Sequence, residues 1–201
     1  MKFPNFSEEK FLWKRGFNFV VGLDEAGRGP LAGPVVAGAI LLPKNFNSKK
    51  IKVNDSKKLS EKQREEIYGK IVACPEIKWG VGIVSEKIID KINILEATKL
   101  AMQKAIKDLG CNVDHLLLDG NFKIYCATPQ KSIIKGDQKV FSIAAASIIA
   151  KVTRDRIMDK YNDKYPEYGF KKHKGYPTKF HRQKIKELGF CKIHRRSFSA
   201  V

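Results

Sequence analysis

Phe17-Asn18-Phe19-Val20-Val21-Gly22-Leu23 runs into Asp24-Glu25-Ala26-Gly27-Arg28-Gly29-Pro30, and Val35-Val36-Ala37-Gly38-Ala39-Ile40-Leu41-Leu42 follows. Two apolar, β-branched runs on either side of a Gly/Pro-rich turn are how neighbouring strands of a sheet look, so 17–23 and 35–42 are expected to pair like a hairpin. Downstream, Ser60 with Gln63 forms a capping-box pattern, and Ile67, Ile71 and Val72 continue it at helical spacing, which predicts a helix of about three turns. Residues 77–84 are another β-branched run. Leu95, Thr98, Met102, Ala105 and Leu109 then recur at steps of three and four, predicting an amphipathic helix over 94–109. A short buried strand over 113–118 ends on Asp119. Residues 133–137 lead into a long helix with the stripe Val140, Ile143, Ala144, Ile148 and Val152. Strands first, then strands alternating with helices, is an α/β order.

The 201 residues are enough for one well-buried domain. That domain is expected to span 1–201, with a core over about 1–160 and a small helical extension over about 161–201. No internal repeat or long linker argues for a second unit. With 43% apolar and 30% charged residues, the chain is neither collagenous, low-complexity nor wholly disordered. Lys and Arg number 39 against 21 Asp and Glu, for a net charge of +18, so the surface should attract polyanions, nucleic acid first among them. The basic bias is sharpest between Phe170 and Arg196, where ten Lys or Arg face one acid, Glu187, among Tyr176, Phe180 and Phe190. Cys74, Cys111, Cys126 and Cys191 are too widely spaced for a C-x-x-C pair and read as reduced cytosolic thiols. Glu8 and Glu9 stand where a signal peptide needs apolar residues, and the longest apolar run, 31–42, is interrupted by Pro34. A cytoplasmic protein without membrane contact is expected.

Asp24 and Glu25 stand at the end of an apolar strand, the place where α/β sheets put their sites. Adjacent carboxylates repel unless a cation joins them, and hard Mg²⁺ or Mn²⁺ with oxygen ligands is the natural complement. A solvated acidic turn is the plainer alternative. A dinucleotide loop is not, because glycines at 27, 29 and 33 miss the G-x-G-x-x-G spacing and the acids would repel pyrophosphate. Asp119 precedes Gly120 at a strand end, which is also ordinary turn chemistry. Asp137 follows Lys135-Gly136 and opens the long helix, where capping would explain it equally well. Their combination with a basic chain is more telling than any of them alone. Carboxylates that hold two ions about 4 Å apart, on a surface that holds a polyanion, are what metal-dependent phosphodiester cleavage requires.

Residues 24–35, Asp55-Ser56-Lys57-Lys58-Leu59, Leu118-Asp119-Gly120, Lys135-Gly136-Asp137, the helix stretch 142–155 and His173-Lys174-Gly175-Tyr176-Pro177-Thr178 resemble bacterial ribonuclease HII in order and spacing, over nearly the whole chain from about 19 to 198. The resemblance implies a ribonuclease H-like fold: a mixed five-stranded sheet flanked by helices, with a helical C-terminal extension. It also implies an endonuclease that cuts RNA in RNA–DNA hybrids and on the 5′ side of single ribonucleotides embedded in duplex DNA, using two divalent ions, Mn²⁺ or Mg²⁺, and leaving 3′-OH and 5′-phosphate ends. The family's metal-binding carboxylates fall on Asp24, Glu25, Asp119 and Asp137. Gly27-Arg28-Gly29 matches a turn whose backbone reads the ribose 2′-hydroxyl, and Tyr176 matches the tyrosine that meets the sugar after the ribonucleotide. Lys57, Lys58, Arg28 and Lys151 match phosphate-contact positions, and Arg195 and Arg196 match a C-terminal basic motif.

His115, His173, His181 and His194 lack metal-ligand spacing and read as structural. Two rivals remain: the related ribonuclease HIII, which usually has an added N-terminal domain and Glu in place of Asp137, and a non-catalytic duplex-binding module. Four acids where a polyanion must lie argue against the latter. A monomer is the default expectation, and nothing in the residues identifies a protein partner, a replication clamp included.

Overall fold

The structure is a computed structural model that describes residues 3–47, 51–54, 56 and 59–199. Its frame is a five-stranded sheet in the order β3-β2-β1-β4-β5. β1 (Val20–Ala26) pairs antiparallel with β2 (Val35–Leu41), and β2 pairs antiparallel with β3 (Lys78–Val84). β4 (His115–Asp119) lies parallel to β1, and β5 (Gln130–Ile133) parallel to β4. The hairpin-like pair is therefore present, and the sheet is mixed. β5 escaped sequence reading because Gln-Lys-Ser-Ile carries neither an apolar run nor a clear alternation.

Strand alternation divides the core. Val21 and Leu23 of β1, with Val35, Ala37 and Ala39 of β2, pack beneath α3 (Glu86–Asp108). The opposite face meets α4 (Phe141–Lys164), behind which lie Phe46, Ile51 and α2 (Glu61–Val72). Close approach of α4 depends on residues without side chains. A Cβ on Gly38 would stand 2.4 Å from the Ala146 carbonyl oxygen, which only a shift of strand or helix could relieve. A single apolar stripe was expected for α4; instead every residue from Phe141 to Ala150 is buried, because the helix is covered on its outer side as well.

The Ser60 capping box forms: the Ser60 side chain accepts from the Gln63 N–H, and the Gln63 side chain accepts from the Ser60 N–H. α3 starts eight residues before the expected 94. Asn93 breaks it with φ +64°, and the Asn93 side chain caps the second half by accepting from the Leu95 and Glu96 N–H groups. An N-terminal helix, α1 (Ser7–Lys14), was not anticipated. Its buried Glu9 accepts from the Ser142 N–H at 2.9 Å, tying α1 to the start of α4.

The basic C-terminal segment folds back onto the sheet's site-bearing end as a short helix, α5 (Phe170–His173), and α6 (Lys179–Leu188). Its core is a ring cluster of Tyr168, Phe170, His173, His181 and His194. Partners fix the tautomers. His181 Nδ1 must donate to the Tyr176 carbonyl (2.9 Å), so its Nε2 accepts from His194 Nε2 (3.0 Å), while His194 Nδ1 accepts from the Cys191 N–H. Both rings are thus neutral. Burial first, then neighbouring rings, pulls each down to about 4.

The sign of the resulting pH dependence follows. Folded pKa values lie below the unfolded value near 6.5, so this stability is complete above that pH and lost as pH falls toward 4. Each ring can contribute up to ~3 kcal/mol. Thermal melts between pH 7 and 4.5 should show a falling midpoint, with a shallower fall in His194→Gln. An identical slope in wild type and variant would reject the assignment.

Candidate active site

Parallel pairing of β1 with β4 brings two strand ends together. Leu23 pairs with Leu118, and Asp24 and Asp119 lie one step beyond in each strand. Asp137 arrives from a third element, the tight turn Gly136–Gln138 ahead of α4. The Gly136 N–H donates to Asp119 Oδ1 at 2.6 Å, which fastens that turn to the end of β4. Lys135, at φ +56°, makes the bend that delivers it. Asp137 was expected to open the long helix, but Val140 is its N-cap, so capping does not explain this aspartate.

Asp24, Asp119 and Asp137 each offer a carboxylate oxygen, all within 4.8 Å of one another. Asp24 is 4% exposed and Asp137 2%. Burial, then the charges of Glu25 and Asp119, raises the Asp24 carboxyl well above the usual carboxylate range. Such a donor set fits hard divalent ions: only oxygens, negative, and crowded enough that a cation relieves the repulsion. Glu25 stands apart from the trio, because adjacent residues of a strand face opposite ways. It lines the same cavity and reaches Arg28 at 3.5 Å.

That cavity, about 200 Å³, is lined by Asp24, Glu25, the Gly27–Gly29 turn, Asp119, Lys151 and Tyr176. Tyr176 borders the turn: its Cε1 would lie 3.8 Å from a Cβ built on Gly29. Lys151 sits 5.9 Å from the Tyr176 ring centre and is held by Asp155 at 2.7 Å. Burial lowers the Lys151 pKa. Arg28 leans over Phe122 at 5.7 Å. Lys57 and Lys58 lie outside the described residues, but Arg64 donates to the Ser56 and Leu59 carbonyls on either side of them. Sequence reading missed Ser56 and Ser147, whose hydroxyls lie 2.7 Å apart in the cavity wall; a lone serine on a buried helix gives no local signal.

Arg195 corrects an expectation. Placed among substrate contacts by resemblance, it is fully buried, and its guanidinium donates to four main-chain carbonyls, leaving no face for a phosphate. Arg196 is exposed; its backbone N–H donates to Asp90, and its guanidinium lies over Phe190, outside the cavity lining.

A mixed five-stranded sheet flanked by helices, with carboxylates at the ends of two central parallel strands, defines the class: a nuclease of ribonuclease H-like fold. The family model for ribonuclease HII matches residues 21–201. Ribonuclease HII of Syntrophus aciditrophicus is 50% identical over 94% of this chain and 88% of its own. That of Chlamydia muridarum is 55% identical over 94% of this chain and 85% of its own. Among solved structures, ribonuclease H2 from Pyrococcus horikoshii superimposes with a TM-score of 0.74 at 31% identity, covering 90% of this chain and 94% of that one. The chain belongs to the ribonuclease HII family. It is a ribonuclease H, an endonuclease that degrades RNA in RNA–DNA hybrids, from a family that uses divalent metals. Among the described residues no helix is long and apolar enough to cross a membrane.

Proposed function

We propose that this ribonuclease H also cuts on the 5′ side of single ribonucleotides embedded in duplex DNA, with two divalent ions, Mn²⁺ or Mg²⁺, held by Asp24, Glu25, Asp119 and Asp137. The observation that carries the reading is a cavity that joins Asp24 and Asp119, on which Asp137 converges, to the Gly27–Gly29 turn and Tyr176. Bound there, the ions supply positive charge for activating water and for the oxygens that gain charge as the phosphodiester breaks.

The chain's own residues do the rest. Backbone groups of Gly27, Arg28 and Gly29 meet the ribose 2′-hydroxyl, since a glycine turn allows approach without side chains and the 2′-OH separates RNA from DNA. Tyr176, beside Gly29, packs on the next sugar and favours an RNA-to-DNA junction. Arg28, Lys57, Lys58 and Lys151 take phosphates, and the net charge of +18 draws in the duplex, with binding that weakens as salt rises. Products carry 3′-OH and 5′-phosphate ends.

The test is cleavage of an end-labelled DNA duplex containing one ribonucleotide, with Mg²⁺, Mn²⁺ or EDTA, beside an all-DNA duplex and a long hybrid. A single metal-dependent cut 5′ of the ribonucleotide is expected. Cleavage of the long hybrid alone would overturn the reading. Tyr176→Ala should lower the preference for the embedded ribonucleotide over the long hybrid by about 10-fold, the scale of one lost aromatic stacking contact; unchanged selectivity would remove that role.

A further inference from the structure

Arg154 and Arg195 are the two largest fully buried side chains. Among the described residues no carboxylate oxygen comes within 4.0 Å of either guanidinium; their partners are main-chain carbonyls. Arg154 donates to Pro34 (3.0 Å), Lys174 (2.9 Å) and Ala32 (3.1 Å). Arg195 donates to Gly33 (2.9 Å), Arg28 (3.1 Å), Gly27 (2.6 Å) and Pro34 (3.2 Å). Two like charges buried against one loop, with no carboxylate in contact, cost stability, so their placement asks for a reason beyond packing.

The loop geometry supplies it. All described peptide bonds are trans, so a carbonyl and the N–H of the same peptide point in opposite directions. Arg195 holds the Gly27 and Arg28 carbonyls on its own side. The N–H groups of Arg28 and Gly29 belong to those two peptides and must point away from it. Arg28 and Gly29 are exposed on the cavity, and among the described residues neither amide has an acceptor. A cation on the carbonyl side also polarises each peptide, making its N–H a better donor.

We infer that Arg195 is a positioning residue for ribose recognition: gripping the Gly27 and Arg28 carbonyls, it presents the Arg28 and Gly29 amides to the substrate. The inference rests on the proposed reading of the turn as the ribose contact. Arg195 is itself fixed by a latch outside the cavity. Its N–H donates to the Leu31 carbonyl, and Ile193 accepts from the Gly33 N–H. Asp90 then accepts from the Arg196 N–H (3.0 Å), the Ser197 N–H (3.0 Å) and the Ser197 hydroxyl (2.6 Å). Phe198 closes over the guanidinium at 5.0 Å. The last residues of the fold thereby set the conformation of a turn some 170 positions earlier.

The experiment compares wild type with Arg195→Lys by two readouts. One is the amide resonances of Arg28 and Gly29 in ¹H–¹⁵N spectra of the free protein. The other is the affinity ratio between a single-ribonucleotide duplex and its all-DNA counterpart, measured in Ca²⁺. A lysine retains the charge but lacks the planar fork whose separate nitrogens reach the Gly27, Arg28, Gly33 and Pro34 carbonyls together. Both resonances are expected to move, and the ratio to fall by about tenfold or more, the worth of a charge-assisted hydrogen bond, while all-DNA affinity stays within about twofold. Unmoved amides with an intact ratio would overturn the inference. If wild type itself shows no ratio, the ribose reading of the turn fails, and the positioning inference fails with it even where the amides move. Should Arg195→Lys not fold, Asp90→Asn, which loosens the latch without touching the cavity, is read the same way, with smaller changes in the same direction expected and none overturning the inference.

Discussion

Asp24→Asn is expected to lower turnover about 10³-fold or more, the several kcal/mol of transition-state stabilisation that a displaced divalent ion represents, while raising the melting temperature in EDTA. The two halves come from the same burial. The Asp24 carboxyl, pushed up by desolvation and by Glu25 and Asp119, retains its proton to higher pH in the folded than in the unfolded chain. Between those two pKa values the folded state binds more protons, so stability falls as pH rises, and the ionised group destabilises the metal-free fold. Asparagine removes that charge and keeps an oxygen for the Glu25 N–H, which now bonds Asp24 Oδ1 at 2.7 Å. The midpoint should rise by about 2–4 °C for each kcal/mol of repulsion relieved. Mn²⁺ should stabilise wild type more than the variant. Wild-type turnover in Asp24→Asn would remove Asp24 from the proposed metal set, and a lower midpoint in EDTA would reject the repulsion as a cause of instability.

Gly27→Ala is expected to cost about 3 kcal/mol or more of stability and about 10²-fold in kcat/KM. At φ +99° a side chain is already strained, and a Cβ there would lie 2.2 Å from Arg154 Nε and 2.7 Å from the Pro34 carbonyl oxygen. Arg154 cannot swing aside without releasing three carbonyls, Lys174 among them, two residues before Tyr176. The strain therefore spreads from the glycine turn to the tyrosine, and misplacement of about 1 Å at a site is enough for such a loss of rate. Gly29→Ala is the internal control: its Cβ would meet only Tyr176 at an ordinary 3.8 Å, so the fold should tolerate it. Wild-type melting and kcat/KM in Gly27→Ala would show that the turn is less constrained than its contacts indicate.

The strongly periodic parts of the fold were legible. The β1–β2 pair, β3, β4 and the Ser60 cap follow from local pattern, because runs of β-branched residues and a capping box state their structure within a few positions. β5, α1 and the first turns of α3 were not, since short polar segments acquire their conformation from neighbours. For the site, no acid was legible alone: a solvated turn explained Asp24 and Glu25, turn chemistry explained Asp119 and capping explained Asp137, and only their combination with a basic chain pointed to a shared centre before the turn ahead of α4 was seen to face the two strand ends.

By itself the sequence determined the acids, the glycine turn, the basic balance and the strand-and-helix order, all properties carried by single residues or short windows. Tertiary structure alone decided which acids converge and what Arg195 does. Strand alternation turns Glu25 away from its neighbour Asp24, while parallel pairing brings Asp119 alongside from 95 positions away. Arg195 reads as a surface cation among ten basic residues, and only the fold shows it buried against four carbonyls. A charge takes its role from the groups that solvate it, and those are assembled by the packing of distant segments.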